Sequence, residues 1–245
     1  MNSSPASAWY HALDRQSFTT AVLTWAAFAW LFDARTSTLL LLVVFVHEMG
    51  HLLTIRVMTG NVAKIRFVPF LGGYTQYQGG WLSPLQSGFF ALGGPAIGTL
   101  FALGCLIAFH QTHEPLLWHL AWIGVILNGL NLIPLPPLDG GQITRWLGRG
   151  WWLTGVALVL WVAWWQQTLW TMAFVALLLW QAWQYHDATK VGSFCPRCQS
   201  SLRQHALNCE RCALKLRLSF RQKVLLWGCY LGTLIVLAGM MSTME

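Results

Sequence analysis

Long apolar runs, separated by short polar stretches, dominate this 245-residue chain. Seven of the runs approach the roughly 20 residues that a helix needs to cross a bilayer. They cover residues 18–32, 37–57, 85–109, 116–138, 151–165, 168–183 and 222–241. The pattern therefore predicts an all-α polytopic membrane protein with about seven transmembrane helices. The two short runs beside Gln166 and Gln167 fit either a tight helical hairpin or a re-entrant helix pair.

Composition supports a membrane location. Hydrophobic residues make up 56% of the chain and charged residues only 9%, whereas soluble domains are about 45–50% apolar. This balance argues against a soluble domain. Near the N-terminus there is no basic excess, because Asp14 offsets Arg15, and no A-x-A site follows the first apolar run. A cleavable signal peptide is therefore not expected.

The positions of the basic residues predict an orientation. If the N-terminus is cytoplasmic, every Lys and Arg except Arg35 falls on the cytoplasmic side. The positive-inside rule then favours a cytoplasmic N-terminus, an outer C-terminus and an odd number of spans, in a prokaryotic cytoplasmic membrane. Because this topology explains the net charge of +7, a nucleic-acid partner is not expected.

Residues 61–80, "NVAKIRFVPFLGGYTQYQGG", interrupt the apolar pattern. Lys64 and Arg66 alternate with apolar residues at the period of a strand. Gly72-Gly73 supplies a turn, and a second strand can follow it. Pro69 indicates that one strand edge is left unpaired. We therefore expect a short membrane-associated β-hairpin on the cytoplasmic side.

The second apolar run contains "HEMGH", residues 47–51. On a helix His47 and His51 share one face, so both imidazoles can bind one zinc ion. Glu48 lies one step round the helix and can act as a general base without being a ligand. Ionisable groups within a membrane are costly, which favours a functional site. A polar cluster that only hydrogen-bonds neighbouring helices is the alternative.

A catalytic zinc ion needs a third protein ligand. Asp139, in "NGLNLIPLPPLDGGQ", is the internal carboxylate that qualifies, because the other candidates fall near span ends or in loops: Asp14, Asp33, Glu114, Asp187 and Glu210. Three prolines precede it and two glycines follow it, a composition that breaks a helix. Irregular backbone at membrane depth is tolerated where protein buries it or a wet cavity adjoins it, as in a metal pocket. The alternative is that Asp139 caps the following helical segment.

The pairing of H-E-x-x-H with N-x-x-P-x-x-x-L-D-G resembles the site-2 protease family of intramembrane zinc metalloproteases. The second pattern is matched by Asn131, Pro134, Leu138, Asp139 and Gly140.

This resemblance covers roughly residues 37–141. Gly93-Gly94-Pro95 resembles the glycine-proline feature of the family's middle core helix, and the hairpin occupies the place of the family's membrane-embedded β-hairpin. The resemblance implies a catalytic zinc bound by His47, His51 and Asp139, with Glu48 as general base and Asn131 near the substrate carbonyl. Asn128, one turn earlier, is the less favoured amide.

The resemblance also implies an activity. The implied activity is that of a zinc metalloendopeptidase. Such an enzyme would hydrolyse peptide bonds in or near transmembrane segments of substrate proteins, as in regulated intramembrane proteolysis. A helical substrate must unwind, and it can then add as a strand to the open hairpin edge. The residues themselves leave three alternatives: a non-catalytic zinc-binding scaffold or sensor, an ion transporter, and a metalloprotease that cleaves soluble peptides.

A second motif, "CPRCQSSLRQHALNCERC", contains two C-x2-C pairs. Such pairs indicate a structural zinc site, here a small zinc ribbon bound by Cys195, Cys198, Cys209 and Cys212. The predicted topology places it in the reducing cytoplasm, where stable disulfides are rare. Disulfides or a redox pair are the alternative. The chain would thus bind two zinc ions, one catalytic and one structural.

The expected organisation has three parts. Residues 1–189 form the transmembrane metalloprotease bundle, with its catalytic core at about 37–141. Residues 190–218 form the zinc ribbon, and residues 219–245 form a C-terminal transmembrane helix. The expected partners are a transmembrane protein substrate, the lipid bilayer and a regulatory protein that docks on the ribbon. The ribbon departs from family members that append PDZ or CBS domains.

Overall fold

The computed structural model of the chain describes residues 13–61, 63–69, 72–77, 79, 82–147, 150–188, 195, 198, 200, 209–213 and 217–244. These residues form mainly helices, with one two-stranded antiparallel sheet. In chain order the elements are α1 (Arg15–Leu31), α2 (Ala34–Thr59), β1 (Ala63–Val68), β2 (Gly72–Tyr77), α3 (Pro84–Thr112), α4 (Pro115–Asn131), α5 (Asp139–Thr144), α6 (Trp151–Gln166), α7 (Leu169–Ala188) and α8 (Phe220–Met244). The protein is thus mostly helical, as its apolar runs predict.

Among the described residues, three helices are long and apolar enough to cross a membrane: α2, α3 and α8. They contain 26, 29 and 25 residues, and their most apolar windows have mean hydropathies of 1.8, 1.9 and 2.0. Helices α1 and α4 have 17 residues each and α6 has 16, fewer than a straight span of about 20 requires. The expectation of about seven spans is therefore not confirmed.

The predicted fourth span, at 116–138, is too long. Helix α4 ends at Asn131, and the chain then runs irregularly until α5 begins at Asp139. Prolines explain the break, because Pro134, Pro136 and Pro137 carry no backbone N–H and disfavour helical backbone before them. Gly141 lets α5 lie close to this segment, since a Cβ there would clash with the Leu135–Pro136 backbone.

The ends of α1 and α2 follow from local capping. Asp14 and Asp33 are the N-caps, and their carboxylates accept hydrogen bonds from the backbone N–H of Ser17 at 2.9 Å and of Thr36 at 3.0 Å. Such caps satisfy amides that have no partner within the helix. Helix α2 ends at Gly60, whose φ of 72° lies in the left-handed region that glycine adopts without strain.

Strands β1 and β2 form the predicted hairpin, with Ile65 opposite Thr75 and Val68 opposite Gly72. The prediction that Gly72-Gly73 forms the turn is wrong, because both glycines belong to β2. Packing explains Gly73: a Cβ at this position would lie 3.0 Å from both Glu48 Cγ and Val44 Cγ1 of α2. The glycine therefore allows β2 to approach α2.

Strand β1 is anchored to the start of α1. Arg66 donates hydrogen bonds from Nη1 and Nη2 to the two carboxylate oxygens of Asp14, at 2.6 and 2.8 Å. The Ser17 hydroxyl donates to the Ile65 carbonyl at 2.7 Å. Hydrogen bonding from Arg66 holds the pKa of Asp14 well below its usual range, so this ion pair persists to lower pH than an ordinary aspartate would allow.

One edge of the hairpin is open. The Ile65 carbonyl of β1 points towards α1 and so away from β2. In an antiparallel pair, two directly opposite residues point their backbone groups either both towards each other or both away from each other. Thr75 lies opposite Ile65, so its N–H and C=O point away from β1, as do those of Gly73 and Tyr77. The sheet has two strands among the described residues, and its β2 edge can accept a third.

A second compact group of residues includes α5, α6 and α7. Its apolar core contains Leu135, Val159, Val175, Leu178 and Ala182. Gln167, with φ of 47°, ends α6, and α7 begins two residues later. The runs beside Gln166 and Gln167 are therefore two separate helices that pack against each other.

Candidate metal centres

Helix α2 buries the whole H-E-x-x-H motif. His47, Glu48 and His51 are 3%, 3% and 5% exposed, within the apolar middle of the helix. Buried ionisable groups are costly unless they are hydrogen-bonded, paired or bound to a metal. The burial therefore requires specific partners for all three side chains.

The two imidazoles converge. His47 Nε2 lies 3.2 Å from His51 Nε2, because residues four apart on a helix are neighbours. Two nitrogens bound to one tetrahedral zinc at the usual length would be about 3.3 Å apart. The pair is thus already spaced to bind a metal ion.

Helix α3 leaves room for this pair through small residues. A Cβ at Gly94 would overlap His51 Nε2 and lie 2.7 Å from His47 Nε2. A Cβ at Gly50 of α2 would overlap the backbone of Gly93. Glycines on both helices therefore allow close contact, and Gly94 keeps the space beside the two Nε2 atoms free. The two glycines of Gly93-Gly94-Pro95 therefore allow α3 to pack closely against α2.

Asn128 of α4 sets the orientation of His47. It is fully buried, and its Nδ2 donates to the Gly124 carbonyl at 2.7 Å. The remaining amide oxygen lies 2.8 Å from His47 Nδ1, so the proton belongs on Nδ1 and the lone pair on Nε2 faces His51. A hydrogen bond of this kind fixes the tautomer of a metal-binding histidine. Gly98 provides the space, because a Cβ there would clash with Asn128.

Replacing Asn128 with Leu is expected to weaken zinc binding at His47 and His51 by roughly 10- to 100-fold, the usual effect of losing such a partner. Competition with a chelator of graded strength measures this affinity. Asn61→Ala, at an exposed asparagine, is the control. Unchanged zinc affinity in Asn128→Leu would contradict the assigned role.

Glu48 is held by the hairpin. The Thr75 hydroxyl donates to Glu48 Oε2 at 2.6 Å and approaches the Glu48 backbone carbonyl at 3.2 Å. Because Gly73 packs on the same side chain, strand β2 restrains the Glu48 carboxylate. Sequence reasoning missed Thr75, since its contact depends on how the hairpin packs.

Asp139 occupies the first position of α5 and is 7% exposed. The N-cap is Leu138, with no side-chain capping bond, so the alternative role of Asp139 as a helix cap is not supported. His47, His51 and Asp139 are all buried. A set of two imidazoles and one carboxylate suits Zn²⁺. Asn131, which the resemblance places near the substrate carbonyl, is the last residue of α4.

The four cysteines of the predicted ribbon form a second candidate site. Their sulfurs lie within 4.8 Å of one another, and the separations are 3.6 Å for Cys195–Cys212 and for Cys198–Cys209. Disulfide sulfurs would be about 2.05 Å apart, whereas sulfurs around a tetrahedral zinc are about 3.8 Å apart. The geometry favours a zinc site over the disulfide alternative.

Local hydrogen bonds favour the thiolate forms. Ser200 Oγ lies 3.1 Å from Cys198 Sγ and 3.3 Å from Cys209 Sγ. Hydrogen bonding from Ser200, followed by the Cys212 backbone, lowers the pKa of Cys209 to about 6, and Ser200 also lowers the pKa of Cys198. Metal binding requires thiolates, so these contacts prepare the cluster for a cation.

Removal of zinc is expected to unfold the cysteine module before the helices. Among the described residues of the module, the buried cluster consists of the cysteines themselves, so metal binding should supply its folding energy. Limited proteolysis after chelation should cut near residues 195–213 while α2 and α3 stay intact. A module that is equally resistant without zinc would contradict this expectation.

Comparison with known proteins supports the sequence resemblance. Residues 107–152 match peptidase family M50. The chain is 31% identical over 131 residues to the putative zinc metalloprotease sll0528 of Synechocystis sp., covering 51% of this chain and 34% of that protein. It is 31% identical over 124 residues to the putative zinc metalloprotease Rip3 of Mycobacterium tuberculosis, covering 47% and 31%.

Among solved structures, the chain is similar to the site-2 protease from Methanocaldococcus jannaschii. The TM-score is 0.48 at 20% sequence identity, covering 69% of this chain and 87% of that one. The chain spans about a third of the length of the curated relatives that it matches.

Proposed function

We propose that this chain is an intramembrane zinc endopeptidase, which cleaves transmembrane segments of protein substrates. The proposal starts from its similarity to peptidase family M50, the site-2 proteases. One observation carries the proposal: two imidazoles 3.2 Å apart and a carboxylate, all three buried, belong to one five-residue stretch of helix α2. A membrane helix has little reason to hold such a set except to bind a metal and move protons.

His47, His51 and Asp139 would hold the catalytic zinc, and their fit is supported by the nitrogen spacing, by the space at Gly94 and by the donor set. A bound Zn²⁺ polarises a carbonyl and lowers the pKa of water to about 7. Asn128 keeps the proton of His47 on Nδ1, so Nε2 can be a ligand.

Glu48 is the proposed general base. It would take the proton of the attacking water and later deliver it to the leaving amine. The hydrogen bond from Thr75 restrains the carboxylate, so little reorganisation is needed before proton transfer. Asn131 would donate to the oxyanion of the cleaved carbonyl, a contact that contributes about 2.7–4 kcal/mol in other enzymes.

The open edge of β2 would bind the substrate as an added strand. Thr75 presents its backbone to this edge and its hydroxyl to Glu48. A strand paired at Thr75 would therefore lie next to the proposed base. This arrangement explains how a protease can select extended segments and reject intact helices, whose backbone groups are already paired.

Substrates with helix-weakening residues at the cleaved bond should be cut faster than matched substrates with Leu at those positions. Gly costs roughly 0.8–1 kcal/mol in a helix relative to Ala and Pro costs about 3, so each weak position lowers the cost of unwinding. Rates of cleavage of the two substrates in lipid vesicles measure the effect. Equal rates would contradict the unwinding step.

The proposed topology has about seven spans, with the N-terminus and the ribbon in the cytoplasm and the C-terminus outside. Helices α1, α4, α6 and α7 would then cross as short or tilted segments, in addition to α2, α3 and α8. The cysteine cluster would bind a second, structural zinc and offer a docking site for a regulatory protein.

Zinc-dependent cleavage is the direct test. The full chain is reconstituted in vesicles with a transmembrane peptide labelled at both ends. We expect cleavage within the apolar segment, loss of activity with a chelator and recovery with added zinc. Cleavage of soluble peptides alone would instead support a metalloprotease with soluble substrates, and zinc binding without any cleavage would support a scaffold or sensor.

A further inference from the structure

Helix α8 contacts the irregular segment that leads to Asp139. The hydroxyl of Tyr230 donates a hydrogen bond to the Leu132 carbonyl at 2.5 Å. Tyr230 is 4% exposed and Leu132 is 1% exposed. The bond therefore joins two buried residues that are 98 positions apart in the chain, and it connects the C-terminal helix to the break after α4.

Neighbouring side chains restrict the position of Tyr230. The Trp227 ring lies 5.6 Å from that of Tyr230 and 4.5 Å from that of Trp151 at the start of α6. Leu226 is fully buried, and a Cβ at Gly88 would lie 2.6 Å from its Cδ2. Helix α8 is thus packed against its neighbours one turn before Tyr230, and the Tyr230 hydroxyl reaches Leu132.

The segment that Tyr230 contacts has few hydrogen bonds of its own. Its prolines contribute no backbone donors. Its backbone bonds are short-range, from Ile133 N to Leu130 O, from Leu135 N to Ile133 O and from Leu138 N to Leu135 O. Gln142 Nε2 also donates to the Pro137 carbonyl at 3.2 Å. A buried carbonyl without a partner is costly, so the loss of the Tyr230 bond would favour a different path for the backbone. Asp139 follows this segment directly.

We infer that Tyr230 is a positioning residue for Asp139, which it reaches through the backbone of residues 132–138. The inference rests on the proposed role of Asp139 as a zinc ligand. It assigns a task to the C-terminal helix, which lies outside residues 107–152 of the family match. Helix α8 holds the ligand-bearing segment in place before the metal binds.

The first test removes only the hydroxyl, in Tyr230→Phe, within the full chain in lipid vesicles. Zinc affinity is measured by chelator competition, and protection of the cysteine thiols from a maleimide reports the ribbon zinc separately. We expect roughly tenfold weaker binding of the intramembrane zinc, within the range for lost outer-sphere partners, and unchanged ribbon protection. Amide exchange at Ile133, Leu135 and Leu138 should be roughly 2–10-fold faster.

Leu231→Ala, at the exposed neighbour of Tyr230, is the matched control and should leave both measurements unchanged. Tyr230→Phe with wild-type zinc affinity and wild-type exchange would overturn the inference. If only the ribbon zinc is found in the wild type, the proposed function fails. Amide exchange in Tyr230→Phe then still decides whether the hydroxyl holds the segment.

A second measurement needs no variant. If Tyr230 holds the segment, then removing zinc from the wild-type protein should leave amide exchange at residues 132–138 nearly unchanged. A large loss of protection without zinc would show that the metal, and not α8, orders the segment, and would overturn the inference even if Tyr230→Phe fails to fold.

Discussion

A single methyl group at position 94 is expected to abolish zinc binding at His47 and His51. In Gly94→Ala the new Cβ would overlap His51 Nε2 and lie 2.7 Å from His47 Nε2, so at least one imidazole must turn away. Losing a direct ligand exceeds the roughly 10- to 100-fold loss of affinity that follows from losing an outer partner. Elemental analysis should show one zinc ion fewer per chain, and cleavage should fall to the level of chelated wild type.

Gly104→Ala is the matched control, since this glycine lies on the same helix, α3, and an added Cβ would meet nothing within 4 Å. It should retain wild-type zinc content and activity. The cysteine zinc should persist in both variants, which separates a local effect from general misfolding. Full zinc content in Gly94→Ala would contradict the packing at the candidate site.

The sequence predicted those parts of the site that depend on local periodicity. The i and i+4 spacing of His47 and His51 fixes their proximity on any helix. The contacts of Asn128 and Thr75 depend instead on which faces of α2, α4 and β2 meet, and a single sequence does not encode that directly. A signal for Asn128 was present: a buried amide in an apolar helix needs a partner, and the histidines were available.

For the fold as well, the sequence predicted features that depend on local pattern and missed features that depend on tertiary packing. Apolar runs predicted where helices occur, and the prolines before Asp139 predicted a break. The length of α4 was overestimated because the run continues to Leu138, although the prolines end the helix at Asn131. The turn was misplaced because both glycines belong to β2, where Gly73 allows packing against α2 and Gly72 adopts a φ of 101°. Glycine marks both close contacts and turns, and only the tertiary structure distinguishes them.

Glu48→Gln is expected to slow cleavage by about 10²–10⁴-fold, the range for losing a general acid–base group. Glutamine has nearly the shape of glutamate, and its amide oxygen can still accept the hydrogen bond from Thr75. The histidines are untouched, so zinc content and folding should match the wild type. Reconstituted cleavage rates, zinc content and thermal stability together measure the outcome. Glu114→Gln, at an exposed position, controls for the loss of one negative charge.

This variant separates an enzyme from a zinc-binding scaffold because it changes only the capacity to move a proton. A scaffold or sensor needs the ion and the packing around it, and both survive in Glu48→Gln, so its function should persist. A protease needs a base beside the scissile bond, and no other described carboxylate is both buried on α2 and held by β2. Cleavage by Glu48→Gln at the wild-type rate would therefore remove Glu48 from the chemistry, even if the zinc site is intact.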